Sequence, residues 1–166
     1  MRGVFGDPGP YIRSDGTVDH YWETKILTMA SLPSSLRLAW DHNRTVNRFR
    51  CHYLLKERFE AAFQKAHADG PGWDSIGDFG GCYMFRPNRK NPRALSFHAW
   101  GAAVDIDVAD NGQGHSPEMH PAVIWAFESE GFIWGGRFHG DAVDGMHFEY
   151  GSQMLEMIML PQKGST

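Results

Sequence analysis

The sequence predicts an α+β domain with a small, mainly antiparallel sheet flanked by helices. Segments with helical and strand-like patterning follow one another in the order α, β, β, α, β, β, which favours this fold class. The chain has 166 residues, enough for one domain with its own core. Hydrophobic residues make up 42% of the chain, with 6 Trp and 11 Phe, and this composition argues against disorder.

The first half of the chain contains one long predicted helix. Residues 1–20 are rich in Gly, Pro and Asp and are expected to form an irregular leader, and residues 32–40 are ambiguous. Residues 45–68 show a helical period, with Lys and Glu opposite an apolar stripe. The stripe consists of Val46, Phe49, Tyr53, Leu54, Phe59, Ala62, Phe63 and Ala66. The Asp-Gly-Pro-Gly sequence at 69–72 is expected to end the helix.

The middle of the chain carries two predicted strands. Residues 80–87 are expected to form a short strand that enters a turn, and residues 88–93 a polar loop. Residues 102–108 alternate between apolar and acidic side chains. We therefore expect a strand here, with Asp105 and Asp107 on one face.

The last part of the chain predicts one more helix and two more strands. After a loop at 110–114, residues 121–130 predict a helix that has a proline in its first turn and Gly131 at its end. Residues 132–134 and 146–150 predict strands joined by a Gly/Asp-rich loop.

The charge and the chain ends restrict the class of protein. The net charge of −4, the pI of about 6.1 and the lack of a basic run give no reason to expect nucleic acid binding. No signal peptide and no bilayer-spanning apolar stretch is visible. We expect one monomeric domain over residues 1–166, without membrane insertion, ending in a short tail at 154–166.

The chain has two cysteines, Cys51 and Cys82, which are too few for a disulfide framework. Pairing between them stays open, but two buried free thiols are the favoured interpretation.

Four residues predict a metal site: His98, Asp105, Asp144 and His147. Two imidazoles and a carboxylate can hold Zn²⁺ and leave its fourth position open, which is typical of a catalytic rather than a structural site. The imidazoles favour zinc over Mg²⁺ or Ca²⁺, because those ions prefer oxygen ligands. Asp144, three residues before His147, is then placed to take a proton from a water molecule.

Glycines allow these side chains to converge. His98 and Asp105 are seven residues apart, so on an uninterrupted strand they would face opposite sides. Gly101 lies between them and can supply the bend that returns both side chains to one face. We expect Gly145 to act in the same way before His147.

The metal site has simpler alternatives. A single His near an Asp is usually a structural hydrogen bond, whereas two such pairs in Gly-containing turns favour a metal. Asp107 is expected to lie in the outer shell of the site or in solvent. Glu149 either orients a metal ligand or forms an ordinary salt bridge, and the other histidines are assigned to surface or capping roles.

Four motifs resemble those of a known family, the zinc D-Ala-D-Ala carboxypeptidases and dipeptidases with their L-alanyl-D-glutamate endopeptidase relatives, many of them phage endolysins. The family's Ser-x-His-x-x-Gly-x-Ala-x-Asp segment is matched at 96–105, and its Asp-x-x-His-Phe-Glu segment at 144–149. Residues 131–136 resemble its Gly-Phe-x-Trp-Gly-Gly turn. Residues 81–83, followed by Arg86, resemble the strand that delivers its active-site arginine.

The resemblance, which runs from about residue 51 to residue 150, implies a hedgehog-like or carboxypeptidase-like fold with one Zn²⁺ on the sheet. The implied metal ligands are His98, Asp105 and His147. The implied general base and acid is Asp144. Arg86 is implied to steady an oxyanion or a substrate carboxylate, with Arg89 and Arg93 in the same loop as alternatives. The implied substrate contacts are Ser96, Trp134 and Tyr83.

The resemblance also implies hydrolysis of a peptidoglycan stem peptide. The dipeptidase branch has Glu at the position of Asp144, whereas an Asp there is more similar to the endopeptidase branch. Cleavage between L-Ala and D-Glu is therefore expected. A D-Ala-D-Ala carboxypeptidase is the nearest alternative. Hedgehog-type domains share this fold, so a second alternative is a non-catalytic, zinc-bearing module that binds the cell wall or acts in signalling. Asp144 and Arg86 argue against this alternative. The missing export signal fits a phage lysin held in the host cytoplasm, or export by another route.

Overall fold

The computed structural model describes residues 3–89 and 91–151, and the expected tail at 154–166 lies outside them. The strands are β1 (Leu27–Leu38), β2 (Asp41–His52), β3 (Phe79–Gly81), β4 (Ala103–Ile106), β5 (Ile133–Trp134) and β6 (His147–Glu149). The helices are α1 (His20–Ile26), α2 (Lys56–Ala68), α3 (Pro71–Asp74), α4 (Val108–Asn111) and α5 (Pro121–Glu128).

The predicted α+β class is confirmed. The described strands form one sheet in the order β2-β1-β3-β4-β6-β5. β1 pairs with β3 in parallel, and the other pairs of described strands are antiparallel. β4 and β6 therefore lie side by side in the half of the sheet that carries the site.

Helices α2 and α5 pack against each other and against the sheet. Phe49 of β2 contacts the rings of Phe59 and Phe63 of α2. Phe148 of β6 stacks on Phe127 of α5, with 4.4 Å between the two ring centroids. All five rings are buried. One face of the sheet is therefore covered by the aromatic core, and residues next to Phe148 along the strand face the other side.

The helix expected over residues 45–68 is wrong in its first half. Residues 41–52 form β2, which pairs with β1 in a long hairpin, and α2 begins only at Lys56. The buried Phe49 and Cys51 alternate with the exposed Arg48 and Arg50, a period of two that indicates a strand. The ambiguous residues 32–40 include the end of β1.

The strand expected through Val108 ends early. β4 stops at Ile106, and Asp107 has a left-handed backbone with φ of 52°, so the expectation that it shares a face with Asp105 is wrong. The buried Asp107 carboxylate instead accepts hydrogen bonds from the Gly77 amide and from Asn111 Nδ2. These contacts start α4, whose last two residues were expected to be loop.

Helices α1 and α3 and strand β1 were not expected, and the strand expected at 80–87 is wrong beyond residue 81, where β3 ends. The later elements lie close to their predicted positions. α5, β5 and β6 fall within the segments predicted for them, and residues 3–19, the described part of the segment before α1, contain a single short 3₁₀ helix at Gly9–Tyr11. Cys51 and Cys82 are both buried free thiols, as favoured from the sequence. None of the helices in the described ranges has the length and apolar character needed to cross a bilayer.

Candidate metal centre and active site

His98 lies on a 3₁₀ helix, Phe97–Trp100, rather than on a strand. The helix begins at Ser96, whose hydroxyl accepts a hydrogen bond from the His98 amide at 3.4 Å. It ends at Gly101, whose φ of 63° is left-handed, a conformation that favours glycine. A Cβ at Gly101 would lie 2.8 Å from the backbone nitrogen of His52. Gly101 thus provides the expected bend between His98 and β4.

Asp105 and His147 lie directly opposite each other on the paired strands β4 and β6. Their neighbours Val104 and Phe148 face the core, so Asp105 and His147 share the opposite face. Gly145, just before β6, is not among the glycines with positive φ. A Cβ there would lie 3.0 Å from the Asn111 side-chain oxygen, so close packing, rather than a bend, explains this glycine.

Three side-chain atoms converge where these elements meet. His147 Nδ1 lies 2.8 Å from Asp105 Oδ1, and His98 Nε2 lies 3.2 Å from the same oxygen. His98 Nε2 and His147 Nδ1 are 3.2 Å apart. The three predicted ligands are therefore brought together, each offering one atom to a common point.

The outer nitrogen of each imidazole is held by an acceptor. His98 Nδ1 lies 2.6 Å from the Cys82 carbonyl oxygen, which can only accept, so this nitrogen carries the hydrogen. His147 Nε2 lies 3.0 Å from Glu149 Oε2. This arrangement fixes the tautomers that direct the Nε2 lone pair of His98 and the Nδ1 lone pair of neutral His147 inward.

The donor set fits a metal cation. With neutral imidazoles, three acceptor atoms face one another, so either a proton on His147 Nδ1 or a cation is needed between them. A bound metal would displace that proton, because a ligand imidazole is neutral. Two imidazoles and one carboxylate match an open, three-ligand zinc site. Residues His98, Asp105 and His147 would hold the metal.

Charges at the site shift the pKa values of the ligands. Burial opposes charging of His147, but its hydrogen bonds with Asp105 and Glu149 outweigh burial and raise its pKa to about 10. Burial alone would raise the pKa of Asp105, yet the neighbouring His98 and His147 hold it well below its usual value. Asp105 is therefore an ionised carboxylate, as a ligand must be.

Asp144 lies beside the three ligands. It lines a cavity of about 150 Å³ together with Asp105, His147, Arg86 and Ser96. Burial raises the pKa of Asp144, and the charge of Asp105 raises it further. Its Oδ1 atom is buried and makes no hydrogen bond within the described ranges. Such a carboxylate is suited to accept and return a proton.

Arg86 and Arg89 line this cavity, whereas Arg93 does not. Burial lowers the pKa of Arg86, and the nearby Asp105 and Asp144 carboxylates act in the opposite direction. Arg86 Nη1 donates a hydrogen bond to the Pro87 carbonyl oxygen at 3.3 Å. The loop that was expected to deliver an arginine thus brings two cationic groups to the site.

The three expected substrate contacts have different surroundings. Ser96 lines the cavity that contains Asp144. Tyr83 lines a second cavity, of about 380 Å³, which it shares with His98 and Asp105. Trp134 lines neither cavity, and its indole donates a hydrogen bond of 2.7 Å to the Gly145 carbonyl oxygen. Trp134 therefore supports the turn before His147, and its role as a substrate contact stays a prediction.

Asn111 is a supporting residue that the sequence did not indicate. Its carbonyl oxygen accepts a hydrogen bond from the Met146 amide at 2.9 Å, and its side chain bonds Asp107 and the Glu118 amide. It is fully buried and holds the turn that leads to His147. No local motif marks its link to the site, because Met146 lies far from Asn111 along the chain.

Residues 89–150 match the family model described as D-alanyl-D-alanine carboxypeptidase. The match covers less than half of the chain but includes the three ligands and Asp144. No curated protein and no solved structure gave a match. The family match supports the zinc D-Ala-D-Ala carboxypeptidase-like resemblance and, with it, a peptidase.

Proposed function

We propose that the chain is a zinc-dependent peptidase of the D-alanyl-D-alanine carboxypeptidase-like family, and that it cleaves the peptidoglycan stem peptide between L-Ala and D-Glu. The observation that carries this proposal is the convergence of His98, Asp105 and His147 within 3.2 Å beside Asp144. A binding module needs neither a carboxylate with a raised pKa nor an adjacent guanidinium.

The residues around the ligands can perform amide hydrolysis. A bound Zn²⁺ would polarise the scissile carbonyl and lower the pKa of water toward about 7. Asp144 accepts a proton from the attacking water, whose oxygen bonds to the carbonyl carbon. Arg86 stabilises the negative charge on the carbonyl oxygen. As the C–N bond breaks, Asp144 returns its proton to the leaving amine.

The shape of the site favours cleavage within a chain. Two cavities share Asp105, Arg86 and Arg89, one containing Asp144 and the other containing Trp40 and Tyr83. A substrate can therefore extend in two directions from the ligands, as an endopeptidase requires. The Asp at 144, more similar to the endopeptidase branch than to the dipeptidase branch, agrees with this choice.

A D-Ala-D-Ala carboxypeptidase is the second candidate, favoured by the description of the matched family. Arg86 or Arg89 would then bind the terminal carboxylate of the substrate, because guanidinium groups pair well with carboxylates. The chemistry at the ligands would be the same, and only the bond cut would differ.

Product analysis tests both candidates. Purified peptidoglycan is digested with zinc-loaded protein, and the released muropeptides are examined by mass spectrometry. New D-Glu amino termini support the endopeptidase, and free D-Ala supports the carboxypeptidase. Wall binding without any hydrolysis, at full zinc occupancy, would instead support a binding module.

A further inference from the structure

The second cavity extends from the ligands toward the β1–β2 hairpin, away from Asp144. Its lining includes His98 and Asp105 at one end and Trp40, Tyr83 and Met84 at the other. Trp40 and Met84 have exposed fractions of 65% and 59%. All three of these outer residues lie before the segment that matches the family model, so the family match says nothing of their role.

The sheet register places Trp40 close to the ligands. Gly81 of β3 is paired with Asp105 of β4, and the Trp40 ring lies 3.8 Å from the position of a Cβ on Gly81. The Ala39 amide bonds the Phe79 carbonyl oxygen at 3.1 Å, which attaches this end of the hairpin to β3. Neighbouring strands are about 4.8 Å apart, so Trp40 lies roughly 10 Å from Asp105.

Glycine keeps the surface between them open. Gly81 has a φ of 113°, and no atom other than one of the Trp40 ring lies within 4 Å of a Cβ placed there. A side chain at this position would lie against the Trp40 ring, on the wall of the cavity that also contains Asp105. The missing side chain therefore leaves a continuous path from the ligands to the tryptophan.

Arginines surround this path. Arg86 and Arg89 line it near the ligands, and Arg44, Arg48 and Arg50 line an adjoining depression of about 310 Å³ that also contains Trp40 and Tyr83. Arg50 bonds Glu23 at 3.1 Å. The other four have no ion pair within the ranges that the structure describes. A cationic surface on a chain of net charge −4 is complementary to an anionic partner.

We propose that this surface, the Trp40 groove, binds an extended, carboxylate-bearing stretch of the stem peptide. The groove consists of Trp40, Arg44, Arg48, Gly81, Tyr83 and Met84. This inference rests on the proposed function. An extended peptide spans about 3.3–3.6 Å per residue, so Trp40 meets the substrate roughly three residues from the scissile bond. Its aliphatic groups pack on Trp40 and Met84, and its carboxylates pair with Arg44 and Arg48.

The groove makes substrate length a determinant of activity. A dipeptide placed at the ligands ends before it reaches Trp40, whereas a full stem peptide does not. The enzyme is therefore expected to hydrolyse long, anionic stem peptides with a lower KM than short ones.

Binding and kinetics test the Trp40 groove separately. Trp40→Ala, Trp40→Phe and the double variant Arg44→Glu/Arg48→Glu are compared with wild type on a sugar-free stem pentapeptide and on a dipeptide. For the pentapeptide, Trp40→Ala and the arginine variant should raise KM about tenfold or more, with Trp40→Phe intermediate. Dipeptide kinetics should not change. Trp125→Ala on α5, which removes a tryptophan with an exposed fraction of 62%, and Arg37→Glu are the controls.

Calorimetric binding of the same pentapeptide to zinc-loaded Asp144→Asn protein separates this inference from the proposed function. Loss of binding with Trp40→Ala in that background supports the groove even if wild type cuts no stem peptide. Equal KM for wild type and groove variants, with active wild type, overturns the groove alone. A third outcome would also overturn the proposal. If the protein binds peptide-free glycan strands in a Trp40-dependent way but does not bind the pentapeptide, the groove binds glycan rather than peptide.

Discussion

At the level of a single side chain, we predict that Asp144 is needed for turnover but not for metal binding. It lines the cavity with the ligands but is not one of the three converging residues. Asp144→Asn should therefore keep zinc bound while kcat falls by roughly 10²–10⁴, because the proton acceptor is lost. Zinc content by atomic emission and kcat on purified stem peptide measure the two effects. His98→Ala is the contrasting variant, which should lose zinc, and a zinc-free Asp144→Asn protein would contradict the assignment.

We predict that Glu149 affects metal affinity through His147, without contacting the metal itself. Its carboxylate holds the outer nitrogen of His147 at 3.0 Å, and such partners typically change metal affinity by about 10–100-fold. Glu149→Ala should weaken zinc binding by that factor, and Glu149→Gln, which keeps an acceptor, should weaken it less. Competition with a chromophoric chelator gives the affinities. Equal affinity of wild type and Glu149→Ala would show that this contact is an ordinary surface pair.

Some site residues could be predicted from the sequence and others could not. The ligands and Asp144 stand in two short motifs with characteristic spacing, so local sequence was sufficient. The Cys82 carbonyl that orients His98 is a backbone atom, and every residue has one. Asn111 and Trp134 act on the turn before His147 through contacts that depend on the packed fold.

At the level of elements, Gly101 joins the 3₁₀ helix of His98 to β4. Gly101→Ala places a Cβ 2.8 Å from the His52 backbone nitrogen in a left-handed conformation. It should destabilise the fold by more than the about 1–2 kcal/mol of left-handed strain alone, and it should also weaken zinc binding, because His98 shifts. Chemical denaturation and zinc titration measure both.

Gly114→Ala is the matched control for this prediction. Gly114 has a φ of 90°, and a Cβ there would have no atom within 4 Å. The control carries the backbone strain without the steric clash, so its zinc affinity should equal that of wild type. If the two variants behave alike, the close approach of Gly101 to His52 has no role in placing His98.

The hairpin shows why one element was mispredicted. Residues 45–52 contain apolar side chains that fit both a helical stripe and a strand, and α2 follows them with a genuine helical period. The alternation at residues 48–51 favours a strand, but it is short, and pairing with the distant β1 is what extends the strand through residue 52. β4, β5 and β6 were found because their alternation and flanking glycines are local.

At the scale of the whole molecule, His52 links stability to pH. It is buried, and burial lowers its pKa from 6.5 to about 4, against the opposing effect of the Phe5 carbonyl. The unfolded chain therefore binds a proton between these pH values that the folded chain does not. The stability contribution of neutral His52 is present above pH 6.5 and is lost as the pH falls toward 4, by at most about 3 kcal/mol.

Urea unfolding at pH 7 and pH 4.5 measures this effect. His52→Asn keeps an acceptor for the Leu54 amide, which bonds His52 Nδ1 at 3.2 Å, but it cannot be protonated. The variant should lose less stability than wild type between the two pH values. Parallel losses in both proteins would mean that other groups account for the acid sensitivity.

The β1–β2 hairpin is continuous in sequence, and the end of β1 is attached to β3 by the Leu38–Phe79 strand pair and by the hydrogen bond from the Ala39 amide to the Phe79 carbonyl oxygen. The candidate ligands all come from later segments, and the hairpin approaches them at His52, which packs on Gly101 at the far end of β2 from the hairpin turn. On the proposed function, exchanging residues 40–48 between homologous proteins, with Leu38 and Ala39 kept, should transfer preference for particular wall peptides while the reaction chemistry stays the same. If the Trp40 groove binds the substrate as proposed, this segment is a graft point at which the choice of peptide can be changed.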